Sequence, residues 1–430
     1  MDLAVYILLG SFLLMLILRI PIAFSLGLST LITSLYLKLS PLVLLQQMVK
    51  GVNSFSLMAI PFFIIAGEIM GQGGISDRLI KLSNLIIGWM RGGLAMVNIL
   101  ASMFFGGISG SSVADVSSIG TILIPMMKKN GYDTDYSINV TITSSVQGII
   151  IPPSHNAIIY ALAAGGGISV ARLFLAGIVP GILLGIALMI LSYIIAVKRN
   201  YPRGEKVSSF REAWKVIRES LLGLLTAVII TVGITTGIFT ATESAAIAAV
   251  YAFIITFFVY REIPLRRMLD ILKNSLKTIA MVIAIIATSS AFAWMMAYLR
   301  IPQMVTSALL NFSDSRILTF LLINLILLLL GCIMDMAPLI LIATPIMLPV
   351  ATSLGMSPIS FGILLLLNLG VGILTPPVGN TLFVGCSIGG APIEKIAKSM
   401  MPFYLVMVIM VLLVTFIPGL TLWLPTLIMG

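Results

Sequence analysis

GIIIPPSHN at residues 148–156 and GILTPPVGN at residues 372–380 are two versions of one phrase, and their reading decides the fold. In each, an apolar run meets a Pro-Pro pair, and an asparagine follows three residues after the second proline. Proline removes a backbone donor and clashes with the preceding turn. A second proline drives the first out of helical geometry. A helix entering either phrase must therefore unwind. The flanks are apolar enough to place each break inside a membrane span, where bare backbone is tolerated only against protein or a wet cavity. Unwound carbonyls in that setting suit cations of sodium or calcium size. One Pro-Pro pair alone reads as a kink; two at matched positions read as a site.

Sliding the chain over itself until the two phrases coincide aligns more than the phrases. Gly107 falls on Gly331, Pro125 on Pro349, Gly131 on Gly355, Gly148 on Gly372, Asn156 on Asn380 and Gly165-Gly166 on Gly389-Gly390. Conformationally special residues coincide without a gap, while the apolar residues around them differ. Each half is expected to hold five spans, an odd number, so the second copy enters the bilayer upside down. Inverted copies with broken helices are a design of secondary transporters, with the solute near the midplane.

Composition sets the solvent. Of 430 residues, 59% are hydrophobic and 9% charged, and the mean hydropathy is +1.15. Soluble domains carry about a quarter charged residues, so most of this chain is solvated by lipid. The net charge of +10 sits in short loops, where it sets orientation rather than nucleic-acid binding. Two cysteines, Cys332 and Cys386, are too few for a disulfide framework or a Cys-rich metal site. No GxxxxGK[ST], HExxH or GxSxG occurs, and the one histidine comes with no paired nucleophile and base. The chain is read as a non-enzyme. Met1-Asp2-Leu3 lacks the basic stretch of a cleaved signal peptide, so the first apolar run is expected to stay as a helix.

Lys and Arg gather at cytoplasmic loops. Lys198–Arg218 holds seven basic residues and Arg261–Lys277 holds five, which makes 221–240 and 242–260 an out-and-back pair. From that frame, spans are expected at 2–19, 21–38, 53–72, 133–163, 172–197, 221–240, 242–260, 278–299, 357–387 and 401–425. Both termini then fall in the periplasm. The stretches 92–128 and 316–350 are about two helix arms long with turn-forming residues in the middle. They are expected to enter and leave on one side. Residues 198–219 read as a charged amphipathic linker at the membrane surface.

The hairpin tips are FFGGISGSSVADVSS (104–118) and LGCIMDMAPL (330–339). Glycine allows close backbone approach, serine hydroxyls join an ion's oxygen shell, and helix N-termini offer amides to a carboxylate. The expected cation ligands are Ser109, Gly110, Ser111, Ser112, Pro152 and Asn156 in the first half. Those of the second are Gly331, Asp335, Thr375, Pro376 and Asn380. The expected solute contacts are Asp115, Pro153, Ser154, His155, Pro377 and Gly379. Tight packing of small residues is the plain alternative for each serine taken singly. Intramembrane carboxylates are expensive and usually functional, which adds Glu68 and Glu243 as candidates, with structural hydrogen bonding an equal alternative. His155 faces Gly379 in the other copy, so it reads as a solute contact or a packed neutral ring.

Taken together, PFFIIAGEIM from Pro61, RGGLAMVNI (91–99), the GGISGSSVADVSSIG tip, GIIIPPSHN, TGIFTATESAAIAAVYA (236–252) and GILTPPVGN resemble the large membrane subunit of tripartite ATP-independent periplasmic transporters over the whole chain. That resemblance implies a sodium-driven importer of organic acids in the bacterial inner membrane. It implies two partners, a small four-helix membrane subunit and a periplasmic substrate-binding protein, and no organic cofactor. It also implies an all-α elevator fold. Residues 92–165 and 316–390 would form the transport domain. Residues 1–91 with a cytoplasmic arm, 166–315 with the linker, and 391–430 would form the scaffold. The sialic acid branch is the nearest in appearance, with C4-dicarboxylate or another carboxylate as the alternative solute. The second tip lacks the serines of the first, so two cation sites would differ in ligands. A stand-alone anion transporter or channel is the competing class.

Overall fold

The computed structural model describes residues 2–204, 209–312 and 315–430. Among them every regular element is helical, apart from an isolated bridge between Arg91 and Arg203. Residues 205–208 of the expected linker lie outside the described residues.

The chain opens with α1 (Asp2–Ile17), α2 (Ile22–Tyr36), α3 (Pro41–Val52), α4 (Ala59–Gln72) and α5 (Ile75–Ile87). A first hairpin follows: α6 (Gly93–Ser109), then α7 (Ser112–Asp115) and α8 (Thr121–Lys129), joined by a π turn over Val116–Gly120. The first interrupted span is α9 (Thr134–Ser144), α10 (Gln147–Ile150) and α11 (His155–Ala163), and α12 (Val170–Lys198) returns. The second half has α13 (Phe210–Thr235), α14 (Ala241–Ile254), α15 (Met268–Tyr298) and α16 (Ile301–Phe312). Its hairpin is α17 (Arg316–Gly331) and α18 (Met336–Ser353), and its interrupted span is α19 (Pro358–Gly372) and α20 (Asn380–Gly389). The chain closes with α21 (Ile393–Ser399), α22 (Met401–Phe416) and α23 (Gly419–Met429).

Local chemistry sets many of these ends. Side chains of Ser154, Ser169 and Ser357 accept backbone N–H groups at the starts of α11, α12 and α19. Thr240 and Glu243 form a capping box on α14. Glu243 is thereby a structural group, and Glu68 bonds Gln72 one turn on at 2.7 Å. In the register that lays Gly148 on Gly372, α18 begins where α7 begins and ends where α8 ends. Gly131 and Gly355, matched in the same register, close the two hairpins with φ of 80° and 81°, a conformation open chiefly to glycine.

Among the described residues five helices are long and apolar enough to cross a membrane, or up to seven if each sharply bent pair is one span. The bent pairs are α4 with α5, at 68°, and α21 with α22, at 59°. One expectation needs correction. The span placed at 401–425 stops at Phe416 and restarts at Gly419, because Ile417, standing before Pro418, leaves helical geometry at φ −117° and ψ 85°. The part of the expected linker at 210–219 is the opening of α13, whose 26 residues reach about 39 Å against a hydrocarbon core of about 30 Å.

Two packed groups emerge. α1–α4 associate with α13–α15, while the second hairpin, α10, α11 and α12 gather around α19, and the first hairpin packs on α9, α10 and α20. The stretch Leu364–Leu367 within α19 is fully buried, as a helix apolar on all sides should be. α12 packs against α6, α10 and α19, and α22 against α12 and α19, rather than chiefly on the first group. The division at 166 and 391 expected from the resemblance thus separates helices that touch. α5 lies along α6, and α15 and α16 lie along α18, so these helices link the groups.

Candidate functional site

The Pro-Pro phrases unwind where expected, and both Pro-Pro peptide bonds are cis. α10 stops at Ile150 and α11 restarts at His155; α19 stops at Gly372 and α20 restarts at Asn380. In each half the hairpin tip lies against its own break. Asn156 Nδ2 donates to the Gly110 carbonyl at 3.4 Å, and Asn380 Nδ2 donates to Asp335 Oδ1 at 3.3 Å. The Val378 amide adds a bond to the Cys332 carbonyl at 3.1 Å. Matched asparagines therefore hold tip to break in both halves.

Close approach depends on glycine. A Cβ on Gly107 would sit 3.2 Å from the Pro152 carbonyl oxygen. One on Gly110 would sit 2.9 Å from the Pro153 carbonyl and 3.2 Å from His155 Nδ1. Behind the tips, Gly148 crosses Gly106 and Gly372 crosses Gly331 almost backbone to backbone. Small residues give such contacts in lipid, where packing rather than water drives association.

Around the first tip, oxygen predominates. Ser109 and Ser112 are buried and Ser111 is half-buried, with the Gly110, Pro152 and Pro153 carbonyls beside them. Ser109 Oγ and the Ser111 backbone bond each other within the turn. Ser112 Oγ meets Ser145 Oγ at 2.5 Å and Thr381 Oγ1 at 3.2 Å. Thr381 belongs to α20, so the first tip also touches the second break. A set of hydroxyl and carbonyl oxygens without a cysteine or histidine cluster fits a hard cation. Among the described residues no group of three or more His, Cys, Asp or Glu converges on a transition-metal site.

The second tip is built otherwise. Gly331 is buried, and Asp335, Thr375, Pro376 and Asn380 are half-buried. Thr375 Oγ1 donates to the Val371 carbonyl at 2.9 Å, so its oxygen remains an acceptor. Tyr404 of α22 donates to the Leu374 carbonyl at 2.7 Å, closing one oxygen that the break frees.

Several expected solute contacts stand in other roles. Ser154 is buried, its hydroxyl donating to the Ile149 carbonyl at 2.5 Å and accepting from the Ala157 amide at 3.3 Å. Its hydroxyl closes the break. Gly379 takes φ +47° beside the Thr375 carbonyl and serves the turn. Pro377 is exposed, and Pro153 is buried against the first tip. His155 is half-buried with Nδ1 toward Gly110. Asp115 is fully buried, and neither carboxyl oxygen has a hydrogen-bond partner among the described residues. It sits next to Ser102, whose hydroxyl is bonded to Ser144 at 3.1 Å. Ser145, Thr381 and Tyr404 were not singled out from sequence. Their partners lie up to 269 positions away, and no local motif marks them.

The profile described as the DctM component of tripartite ATP-independent periplasmic transporters matches residues 9–420. The chain is similar to the uncharacterized protein YgiK of Salmonella typhimurium, 42% identical over 98% of this chain and 97% of the relative. It is 37% identical to the sialic acid TRAP transporter large permease protein SiaM of Vibrio cholerae, covering 90% of each. It is also 37% identical to the C4-dicarboxylate TRAP transporter large permease protein DctM of Vibrio cholerae, covering 97% of this chain and 96% of that one. In fold it is similar to the YdaH transporter of Alcanivorax borkumensis, with a TM-score of 0.63, 12% identity, and 86% and 87% of the two chains covered.

Proposed function

The chain belongs to the DctM component family of tripartite ATP-independent periplasmic transporters, and from that premise we propose that it is the large permease of a sodium-driven importer of an organic acid, moving its solute by an elevator displacement. The observation that supports this reading is the paired asparagine bond, Asn156 to the Gly110 carbonyl and Asn380 to Asp335, which fastens each hairpin tip to its own unwound span. We read the two halves as inverted copies, supported by the coincidence of helix ends when Gly148 is laid on Gly372.

In this mechanism sodium is cargo. Serine hydroxyls and freed carbonyls at the first tip, and Asp335 with the Thr375 hydroxyl at the second, would replace its hydration shell. The tip oxygens would otherwise have to cross the bilayer with uncompensated negative potential. The hairpins and interrupted spans form the moving body. Because α12 and α22 pack on it, they are assigned to it here, while α1–α4 and α13–α15 stay fixed. The linking helices α5 and α16 then act as arms. Asp115, without a hydrogen-bond partner beside the first tip, is the carboxylate placed to respond to a bound cation.

A small membrane subunit and a periplasmic substrate-binding protein complete the assembly in the bacterial inner membrane, with both termini of the chain in the periplasm. Sialic acid is the favoured solute among organic acids, since one relative is named for it. C4-dicarboxylate is the alternative, since another is named for that. The chain reconstituted with both partners should accumulate solute in sodium and lose uptake when potassium replaces it. Equal uptake in potassium overturns the coupling. Uptake unchanged without the binding protein, or conductance far above an alternating-access rate, favours a stand-alone carrier or channel.

A further inference from the structure

Leu265–Tyr298 is one apolar helical run of 34 residues, a 3-10 turn over Leu265–Arg267 followed by α15. At about 1.5 Å per residue it reaches about 50 Å, against a hydrocarbon core of about 30 Å. Tilted by about 40°, the limit of the usual range, it still spans about 38 Å. Residues 278–299 carry no charge and fill the core by themselves. The charged end, 265–277, therefore stands in the headgroup layer.

That end is not polar all round. Leu265, Leu269 and Leu276 are 58%, 65% and 61% exposed, and Ile283 continues their row into the uncharged part. Arg266, Lys273 and Lys277 form a second row beside the leucines, at the helical spacing of i, i+7 and i+11. All three are exposed, while Ile271, Ser275 and Ile279 on the back of the helix are buried. The cation row therefore stands away from the protein. None of the three forms an ion pair among the described residues. With Arg267, residues 265–277 carry four cations and one carboxylate, Asp270. The nearby Glu262 is already held by Arg78 at 2.7 Å.

The other half of the chain provides an internal control. In the register that lays Gly148 on Gly372, Leu265 falls on Pro41, and each opens a helical run. The apolar row is kept, with Leu269 on Leu45 and Leu276 on Val52. The charge is not: Arg266 falls on Leu42, Lys273 on Val49, Lys277 on Asn53 and Asp270 on Gln46. Lys50, on Asn274, is the one charged residue of 41–53. The helix can thus pack without the cation row. Orientation calls for basic residues at one end of a span, not for three of them aligned beside an exposed leucine row.

We propose that this edge of α15 is a docking surface for an anionic phospholipid. The lipid phosphate lies along Arg266, Lys273 and Lys277, and its acyl chains descend along Leu269, Leu276 and Ile283. Lysine stems cover apolar surface while their ammonium groups reach the headgroups, and each such cation draws anionic lipid. A zwitterionic lipid also has a phosphate, but its choline cancels that charge and finds a single carboxylate, Asp270, on this stretch. The excess of cations thus selects the anionic headgroup. The proposal stands on α15 and does not require the import reading.

Thermal unfolding of the purified full-length chain in detergent tests it, with phosphatidylglycerol or phosphatidylcholine of the same acyl chains added in steps. Phosphatidylglycerol should raise the melting temperature saturably beyond phosphatidylcholine. Its apparent affinity should weaken about fivefold for each cation removed by Arg266→Gln, Lys273→Gln and Lys277→Gln. Lys273→Arg should bind as wild type does. So should Lys129→Gln/Lys395→Gln/Lys398→Gln, which removes equal charge elsewhere. Equal melting in phosphatidylcholine confirms that the row variants fold, and Lys273→Gln alone decides if the combined variant melts lower there. The proposal fails if phosphatidylglycerol stabilises no more than phosphatidylcholine, or if the row variants bind it like wild type. It fails if both triple variants weaken alike, since diffuse charge would then suffice. It also fails if the row variants lose a co-expressed small membrane subunit while keeping their lipid affinity, since the row would then be a protein contact.

Discussion

The hydroxyls of Ser112 and Thr381 meet at 3.2 Å inside the protein, one from the first hairpin tip and the other from the second interrupted span. Ser145 completes the group at 2.5 Å from Ser112. This contact ties together halves that are separate in sequence, at the place where the proposed cation site forms. Residues sharing such a network couple by about 0.5–3 kcal/mol. Ser112→Ala and Thr381→Val should therefore shift thermal stability non-additively in a double-mutant cycle. Strict additivity would remove the contact from any shared site.

Asn156→Ala and Asn380→Ala each delete the bond that holds a tip to its break. Both variants should insert and fold, yet transport poorly, with the sodium concentration for half-maximal uptake raised several-fold. Normal sodium dependence in both would take the asparagines out of the site.

Gly148→Ala would place a methyl 2.8 Å from the Gly106 Cα, and Gly372→Ala one 2.6 Å from Gly331 backbone. Backbone cannot swing aside as a side chain can, so each should destabilise by about 1–3 kcal/mol or more. Gly167→Ala, with nothing within 4 Å, is the control. Thermal unfolding in detergent should separate the first two from the third.

Tyr404→Phe removes the donor to the Leu374 carbonyl. An oxygen left open inside the bilayer should lower stability by about 1–3 kcal/mol. The matching residue of the first half is Pro180, which carries no hydroxyl; there Gly177 lies against the Ile150 carbonyl instead. Wild-type melting of Tyr404→Phe would show that the Leu374 carbonyl finds another partner.

Tyr201 donates to Asp133 at 2.7 Å and receives the Arg91 guanidinium on its carbonyl at 3.3 Å, clamping the linker to the base of the first hairpin. Burial, and then the bonded Asp133 carboxylate, push its phenol up to about 12. A raised phenol stabilises the fold fully below its ordinary value of 10.0 and loses that contribution as pH rises through about 12. Thermal stability of wild type relative to Tyr201→Phe should shrink as pH rises from 10.0 through about 12. A difference between the two that does not change with pH would refute the clamp.

Much of the architecture was legible in the chain. Pro152-Pro153 and Pro376-Pro377 stop a helix wherever they occur, because the lost donor and the ring clash are local. Gly131 and Gly355 mark the same turn in both halves for a similar reason, since only glycine takes that backbone readily. Residue roles were less legible. Ser154 looked like a ligand by position, yet its hydroxyl closes the break it stands in. The polarity of a serine says that it will bond, not to what.

Membrane solvation, two unwound spans and two hairpins follow from the sequence alone, because apolar length, paired prolines and glycines act through bonds only a few residues apart. Tertiary structure alone decided that Thr381 answers Ser112, that Tyr404 closes the Leu374 carbonyl, and that α12 and α22 pack with the hairpins. Those choices join residues up to 269 positions apart, and they are settled by which surfaces fit and which oxygens remain unbonded once the helices have packed.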